Sequence, residues 1–356
     1  QRTPSVKKEI EYYNRGGRGI PLSIHLIFIK IIIMTTRKHW IDNLRGVCML
    51  AILLDHTEVY YSGANIINYN VYVTDALYLF FFLSGYLMYK QKVDINVKEK
   101  LCSIGRSLLI PYLIFTSVIA FPKALAHGNF NGIGAIVLDI LQGYASWFIA
   151  ALIVAEIFFT ILLKVCSKKI LLMGGICLIV ATLSQFFPHK ESFYIFQIDN
   201  ALFVMPILFG GYLYHKYEDF MPQKWIYTAT ALFFLACVKI YVHYYDIKMS
   251  IGLLEISNYG VFILNAFLGC FAFAELFKKL PHCSPIEWIG KHSLVYYFFC
   301  GSIPFIVGKL FNYFNFPYNG LYWHVLLAFV ATCIFSTIVV AIIYRFFPFA
   351  VGKKFN

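Results

Sequence analysis

The chain has 356 residues, of which 60% are hydrophobic and only 13% charged, where a soluble domain carries about 25% charged residues. That excludes an ordinary soluble enzyme and points to an all-α polytopic membrane protein. The net charge of +12 would suit nucleic acid, but Lys and Arg recur in short clusters between apolar runs rather than as one patch. Cytoplasmic loops of membrane proteins carry that pattern, so nucleic-acid binding is excluded.

The first segment, residues 1–33, differs from the rest. Its RGGRGIPLSIHLIFIKIII stretch has a basic start and a short apolar run interrupted by His25 and Lys30. It resembles a signal peptide without a small-residue cleavage site and is short for a membrane span. MTTRKHWIDNLRG opens at Met34, so the natural chain is expected to begin there. Residues 1–33 are then an N-terminal extension outside the fold, and 34–356 a single membrane domain.

Ten apolar segments follow, each long enough or nearly so to cross a bilayer: roughly 41–61, 71–89, 106–122, 146–165, 170–187, 200–215, 224–245, 251–277, 287–310 and 321–347. If the chain starts in the cytoplasm, nineteen Lys and Arg fall on the inner side. Only four, Lys123, Lys190, Lys248 and Lys309, fall on the outer side, with Lys239 inside a span. The bias supports ten spans with both termini cytoplasmic. No fixed-period repeat and no soluble module interrupts them, so any chemistry sits among the helices.

Most of the nine cysteines lie within or at the ends of apolar runs and none forms a CxxC pair. Neither zinc nor a disulfide framework is indicated, and the thiols read as small packing groups.

The first span, IDNLRGVCMLAILLDHTEVYYSG, sets Arg45 and His56 eleven residues apart. On an α-helix that is about 1100°, three turns and roughly 20°, so both share a face about 16 Å apart along the axis. Ionisable groups in lipid usually face a bundle interior or a wet cavity. The bland alternatives are an Arg45 that reaches out to lipid phosphates and a His56 held neutral against another helix. Asp55 and Glu58 flank His56. Adjacent helical residues do not face each other, so Asp55 is not expected to orient the imidazole, and Glu58, near the outer end, reads as solvated. Farther on, Ser84-Gly85-Tyr86 near the inner end of the second span reads as helix packing, or as a nucleophile if a base lies beside Ser84. The Lys90–Arg106 loop carries five basic residues, enough for an anionic ligand or simply a cytoplasmic loop. Glu156 falls near mid-membrane, where it is protonated, paired or in a wet cavity; Lys239 is its partner or reaches outward. Gly290-Lys291-His292-Ser293 imitates the end of a P-loop, but Pro285 stands where the first glycine belongs and no strand precedes it, so nucleotide binding by that motif is excluded.

Taken in order, WIDNLRGVCMLAILLDH, FFFLSGYLM, RSLLIPYLIF, SWFIAALIVAEI, MPILFGGYLYHK, IEWIGKHSLVYYF and YRFFPFAVGK resemble the blocks of the integral-membrane acyltransferase family 3. That family includes O-acetyltransferases that modify bacterial surface carbohydrates. The most specific block is the arginine, ten residues and histidine of Arg45 and His56. The resemblance implies a ten-helix enzyme with no tightly bound cofactor and no metal. It would use acetyl-CoA or another acyl-CoA as co-substrate and acylate a hydroxyl of a glycan or glycolipid in a bacterial inner membrane. His56 corresponds to the family's essential histidine and Arg45 to its motif arginine. A guanidinium suits a phosphorylated donor, and an imidazole suits a general base near neutral pH; a brief acyl-histidine is the alternative.

Donor binding is expected from Arg106 and Lys100, and the substrate pocket from Asp55, Ser84, Trp147 and Glu156. The chain departs from the family in three places. CSIGRSLLIP keeps Arg106 alone where many members have an arginine pair, with Lys100 as the substitute. Leu152 stands where some members carry a glutamate five residues after the tryptophan, so the region around Trp147 is similar to the shorter Trp-Phe variety. Cys300 stands where many have a histidine. The runner-up class is a proton-coupled exporter, which is disfavoured because no inverted repeat or matched pair of broken helices is visible. A non-catalytic scaffold would leave the Arg45/His56 pair unexplained.

Overall fold

A computed structural model describes residues 38–90, 95–126, 132–166, 169–186, 195–221 and 224–352. The 1–33 extension and Lys123's side chain lie outside the described residues. In chain order the helices are α1 (His39–Thr57), α2 (Tyr69–Met88), α3 (Val97–Ile104), α4 (Ile110–Ala126), α5 (Ile133–Gln142), α6 (Trp147–Val165), α7 (Ile170–Ser184) and α8 (Ile198–Phe203). They continue with α9 (Met205–Tyr217), α10 (Trp225–Tyr244), α11 (Tyr259–Lys279), α12 (Ser284–Lys291), α13 (Ser293–Phe299), α14 (Ser302–Tyr313) and α15 (Tyr322–Phe346). Local chemistry sets many of the ends. Asn68, Asn96 and Asn258 each accept a backbone N–H at the start of α2, α3 and α11, satisfying donors that a first turn leaves over.

Among the described residues six helices are long and apolar enough to cross a membrane: α2, the run Val97–Pro122 through α3 and α4, Tyr144–Val165 containing α6, α10, α11 and α15. The pair α13 and α14, bent by 51° at Cys300–Gly301, meets the same length and composition only when its two helices are counted as one broken span. The chain is thus an all-α multi-pass membrane protein. The remaining expected spans fall short for visible reasons. Helix α1 has nineteen residues but carries Asp42, Arg45 and Asp55; α7 has fifteen residues; and 200–215 is broken at Val204 into α8 and α9. Both breaks lie in the second half of the chain, so they do not form a matched pair across two halves.

Burial separates centre from periphery. The apolar window of α2 is 78% buried and that of Tyr144–Val165 61%, against 22% for α10 and for α15. The outer helices turn apolar side chains such as Phe233, Ile240, Val330 and Ile334 outward, as lipid contact requires. The expected span 251–277 is corrected at its start. Residues 249–256 form a small antiparallel hairpin, β1 (Met249–Ser250) paired with β2 (Glu255–Ile256), with Met249 opposite Ile256. Its Met249 N–H donates to Asn70 Oδ1 at 3.2 Å, and its carbonyl accepts from Thr74 Oγ1 at 3.3 Å. The hairpin is thereby docked on the first turns of α2. Helix α5 lies in what reads from sequence as a plain connection.

Candidate active site

Helix α1 runs unbroken from Arg45 to His56, so the two side chains do share a face. Both are half-buried, whereas Asp55, Thr57 and Glu58 around His56 are buried. These neighbours are held elsewhere. Asp55 Oδ1 accepts from Asn65 Nδ2 at 2.5 Å, and Thr57 Oγ1 donates to the Leu53 carbonyl at 2.7 Å. Glu58 accepts from Tyr322 Oη at 2.6 Å and from the Ile67 N–H at 3.1 Å. Glu58 is therefore fully enclosed and pinned to α15 rather than solvated, because the loop after α1 and the start of α15 fold over it. His56 lies near-parallel to Tyr60, with ring centroids 6.2 Å apart. Tyr60 in turn packs edge-on to Phe305 at 5.7 Å. A Cβ on Gly301 would lie 3.7 Å from the Tyr60 hydroxyl. The kink bearing Cys300, the position that departs from the family pattern, is thus next to the ring that covers His56. Spacing held a signal for Tyr60: four residues beyond His56 is the same helical face.

Two helices change geometry at the candidate residues. Directly after α1, Glu58–Ser62 is π-helical; between α3 and α4, Gly105–Leu109, which contains Arg106, is π-helical as well, with the Ile110 N–H bonded to the Gly105 carbonyl. Such wide turns leave backbone groups and side chains re-aimed and are frequent at functional sites. Periodicity alone does not reveal them.

Arg45's turn is fixed by a backbone-to-backbone crossing with α12. A Cβ on Gly46 would lie 2.1 Å from the Ile286 carbonyl oxygen, and one on Gly290 would lie 1.8 Å from that of Asp42. Only glycine permits this approach, which gives the IEWIG block its role. Gly85 and Gly211 play the same part between α2 and α9: their Cβ atoms would fall 1.9 Å from the Leu208 and Phe82 carbonyl oxygens. Gly85 is therefore a packing residue, while its neighbour Ser84 has a polar role.

Ser84, Glu156 and Lys100 form one cluster. Ser84 Oγ donates to Glu156 Oε1 at 2.6 Å, and Lys100 Nζ lies 2.8 Å from Glu156 Oε2. Ser84 and Glu156 are buried, and the Lys100 side chain is 31% exposed. A carboxylate with a serine on one oxygen and an ammonium on the other is a satisfied buried charge, and it joins α3 to the centre of the bundle. Lys239 is not its partner. Lys239 ion-pairs with Asp75, which also accepts from Asn265 Nδ2 at 3.2 Å, linking α2, α10 and α11. Asp75 sits in an apolar run that pattern reading treats only as a span. Arg106 is exposed on the π turn, and the Gly352 backbone packs against its carbonyl. Trp147 opens α6, half-buried, with its indole against Gly252. The structure thus gathers Ser84, Lys100 and Glu156 in one place, gathers His56 with Tyr60 in another, and ties Asp55 to Asn65. An open apolar depression of about 400 Å³ between α2, α9 and α11, lined by Phe82, Leu213, Tyr214 and Phe267 among others, touches none of these residues.

A family model described as an acyltransferase domain matches residues 38–345, nearly the whole described chain. The chain belongs to acyltransferase family 3. It is therefore a membrane acyltransferase. No curated protein and no solved structure matches the chain significantly.

Proposed function

We propose that this membrane acyltransferase moves an acetyl or other short acyl group from acyl-coenzyme A to a hydroxyl of a glycan or glycolipid. His56 acts as general base and Arg45 binds the donor's phosphates. One observation carries the reading: along an unbroken α1, Arg45 and His56 share one face and are both half-buried, with the acids beside His56 bonded to Asn65, Ile67 and Tyr322. His56 takes the proton of the acceptor hydroxyl as that oxygen attacks the thioester carbonyl. The tetrahedral intermediate expels the thiolate, and the imidazolium returns the proton to it, leaving an ester and free thiol. The about 16 Å between the two residues is spanned by the thin pantetheine arm. Arg106 and Lys100 add positive charge for the donor, Lys100 by exchanging Glu156 for phosphate. Ser84, Glu156, Asp55 and Trp147 line the approach of the substrates. Ten crossings with both ends in the cytoplasm, in a bacterial inner membrane, complete the reading. The charge asymmetry of the loops supports it.

The test uses purified protein in nanodiscs with labelled acetyl-CoA and a panel of sugars. We expect thiol release and label transfer to vanish in His56→Ala, and the KM for acetyl-CoA to rise in Arg45→Ala, with both variants retaining the wild-type melting profile. A folded wild type that neither binds acyl-CoA nor differs from His56→Ala would overturn the reading and bring the exporter forward.

A further inference from the structure

Helix α1 passes without interruption into the π-helical turn Glu58–Ser62, and two tyrosines stand on that turn. Tyr61 is buried, and its hydroxyl donates to the Phe316 carbonyl at 2.9 Å. Tyr60 is half-buried like His56, and its ring lies 6.2 Å from the imidazole at an interplanar angle of 20°. Four residues of helix rise about 6 Å, so the two rings stand one turn apart on one face.

Helix α14 fixes the phenol from the other side. Phe305 meets its ring edge-on at 5.7 Å. A Cβ on Gly308 would come within 2.9 Å of the Tyr60 carbonyl oxygen, so the backbone of α14 lies directly on this turn. At the hydroxyl end the approach is looser: a Cβ on Gly301, at the 51° break between α13 and α14, would stand 3.7 Å from Tyr60 Oη. The side chain is thus held at its base and along its ring, while glycine leaves the space of a side chain beside its hydroxyl. Packing accounts for the ring and gives no reason for the hydroxyl.

We propose that the Tyr60 hydroxyl is a second catalytic group, donating a hydrogen bond to the carbonyl oxygen of the bound thioester as charge develops on it. The attack that His56 assists turns this carbonyl into a tetrahedral centre with a negative oxygen, and a positioned donor stabilises that charge. A base nitrogen works about 3 Å from the attacking oxygen, and an oxyanion donor about 3 Å from the oxygen it stabilises. A base and a donor serving one tetrahedral carbon are therefore separated by about 6–8 Å, which one helical turn provides. The hydroxyl gives up no proton: it donates while the oxyanion exists, and the bond weakens as the carbonyl reforms and the thiolate leaves. The inference rests on the acyl-transfer reading and adds to it the group that holds the oxyanion.

The experiment compares wild type with Tyr60→Phe, which keeps the ring against His56 and Phe305 and removes only the hydroxyl. Thiol release from acetyl-CoA is followed in nanodiscs, together with binding of two unreactive analogues. Trifluoroacetonyl-coenzyme A carries a ketone that takes up water to become a tetrahedral diol; S-ethyl-coenzyme A has no carbonyl. We expect Tyr60→Phe to lower kcat about 100-fold with the KM for acetyl-CoA nearly unchanged. The ketone analogue should lose roughly tenfold in affinity and the thioether none. Should Tyr60→Phe fail to fold, replacement of Tyr60 by a ring-fluorinated tyrosine, a stronger donor of similar size, is read in its place and should tighten the ketone analogue alone. A folded Tyr60→Phe with wild-type kcat, or an unchanged ratio of the two analogue affinities in whichever variant is read, overturns the inference and leaves Tyr60 a packing ring. His56-dependent thiol release that ignores Tyr60→Phe sinks this inference alone. Absence of any His56-dependent release sinks the transfer reading and this inference with it.

Discussion

Gly290→Ala is the sharpest perturbation of the crossing that holds Arg45's turn. The added Cβ would lie 1.8 Å from the Asp42 carbonyl oxygen and 2.9 Å from the Gly46 nitrogen, where ordinary contact begins at 3.4 Å. Helices α1 and α12 must therefore separate by about 1.6 Å, since the opposing atoms are backbone and have no rotamer to give. Overpacking of this kind costs about 1–3 kcal/mol or more. Displacement of the helix that carries Arg45 and His56 adds a second penalty, because a misplacement of about 1 Å can cost roughly 100-fold in rate. Thermal unfolding and acyl transfer are measured side by side, with Gly175→Ala as control, because a Cβ there meets nothing within 4 Å. The expected result is a lower melting temperature and at least a tenfold loss of kcat in Gly290→Ala, with the control near wild type. A Gly290→Ala protein with unchanged melting and unchanged rate would refute the argument that this contact sets the position of α1.

Two further outcomes follow from the ion pairs. Lys100→Met should raise the KM for acyl-CoA roughly three- to tenfold, a modest change because the lysine is partly exposed. Glu156→Gln should lower it by freeing Lys100 for phosphate; shifts in the same direction in donor titrations would dismiss the exchange of partners. Asp75→Asn or Lys239→Met alone should destabilise the bundle by about 3–5 kcal/mol, since each strands a buried charge, while the double variant recovers much of the loss. Chemical unfolding in detergent checks this, and additive losses would mean that the two groups are not coupled.

The apolar helices were legible because lipid writes their length and composition directly into the chain. The resemblance was legible because Arg45 and His56 lie on one helix, where spacing fixes geometry. What the sequence hid is of two kinds. Partnerships between distant segments, such as Ser84 with Lys100 and Glu156, or Asp75 with Lys239, depend on how helices are arranged around one another, which no local pattern encodes. The breaks at Val204 and at Cys300–Gly301 fall inside apolar runs, so an apolar count passes over them, whereas the hairpin before Tyr259 carries Glu255, Ser257 and Asn258, a polar interruption that the expected span 251–277 runs across. Glu58 departs from expectation for a related reason: its position at a helix end suggests water, but the loop at Ile67 and Tyr322 of α15 cover it.

The π-helical segment at Gly105–Leu109 also works as a phase shifter. A π turn takes in one residue more than an α turn, so everything before it is rotated by roughly 100° relative to a helix without the slip. Lys100, which reaches Glu156, precedes this change of phase, and Arg106, which stays at the surface, lies within it. Loss of one residue there would leave hydropathy and helix content nearly untouched, yet it would swing the lysine away from the carboxylate. Offsets between basic residues in this stretch therefore do not translate into shared faces as they do along α1. A relative with paired arginines and this chain with Lys100 and Arg106 are to be compared by angular position around the helix axis, not by counting residues.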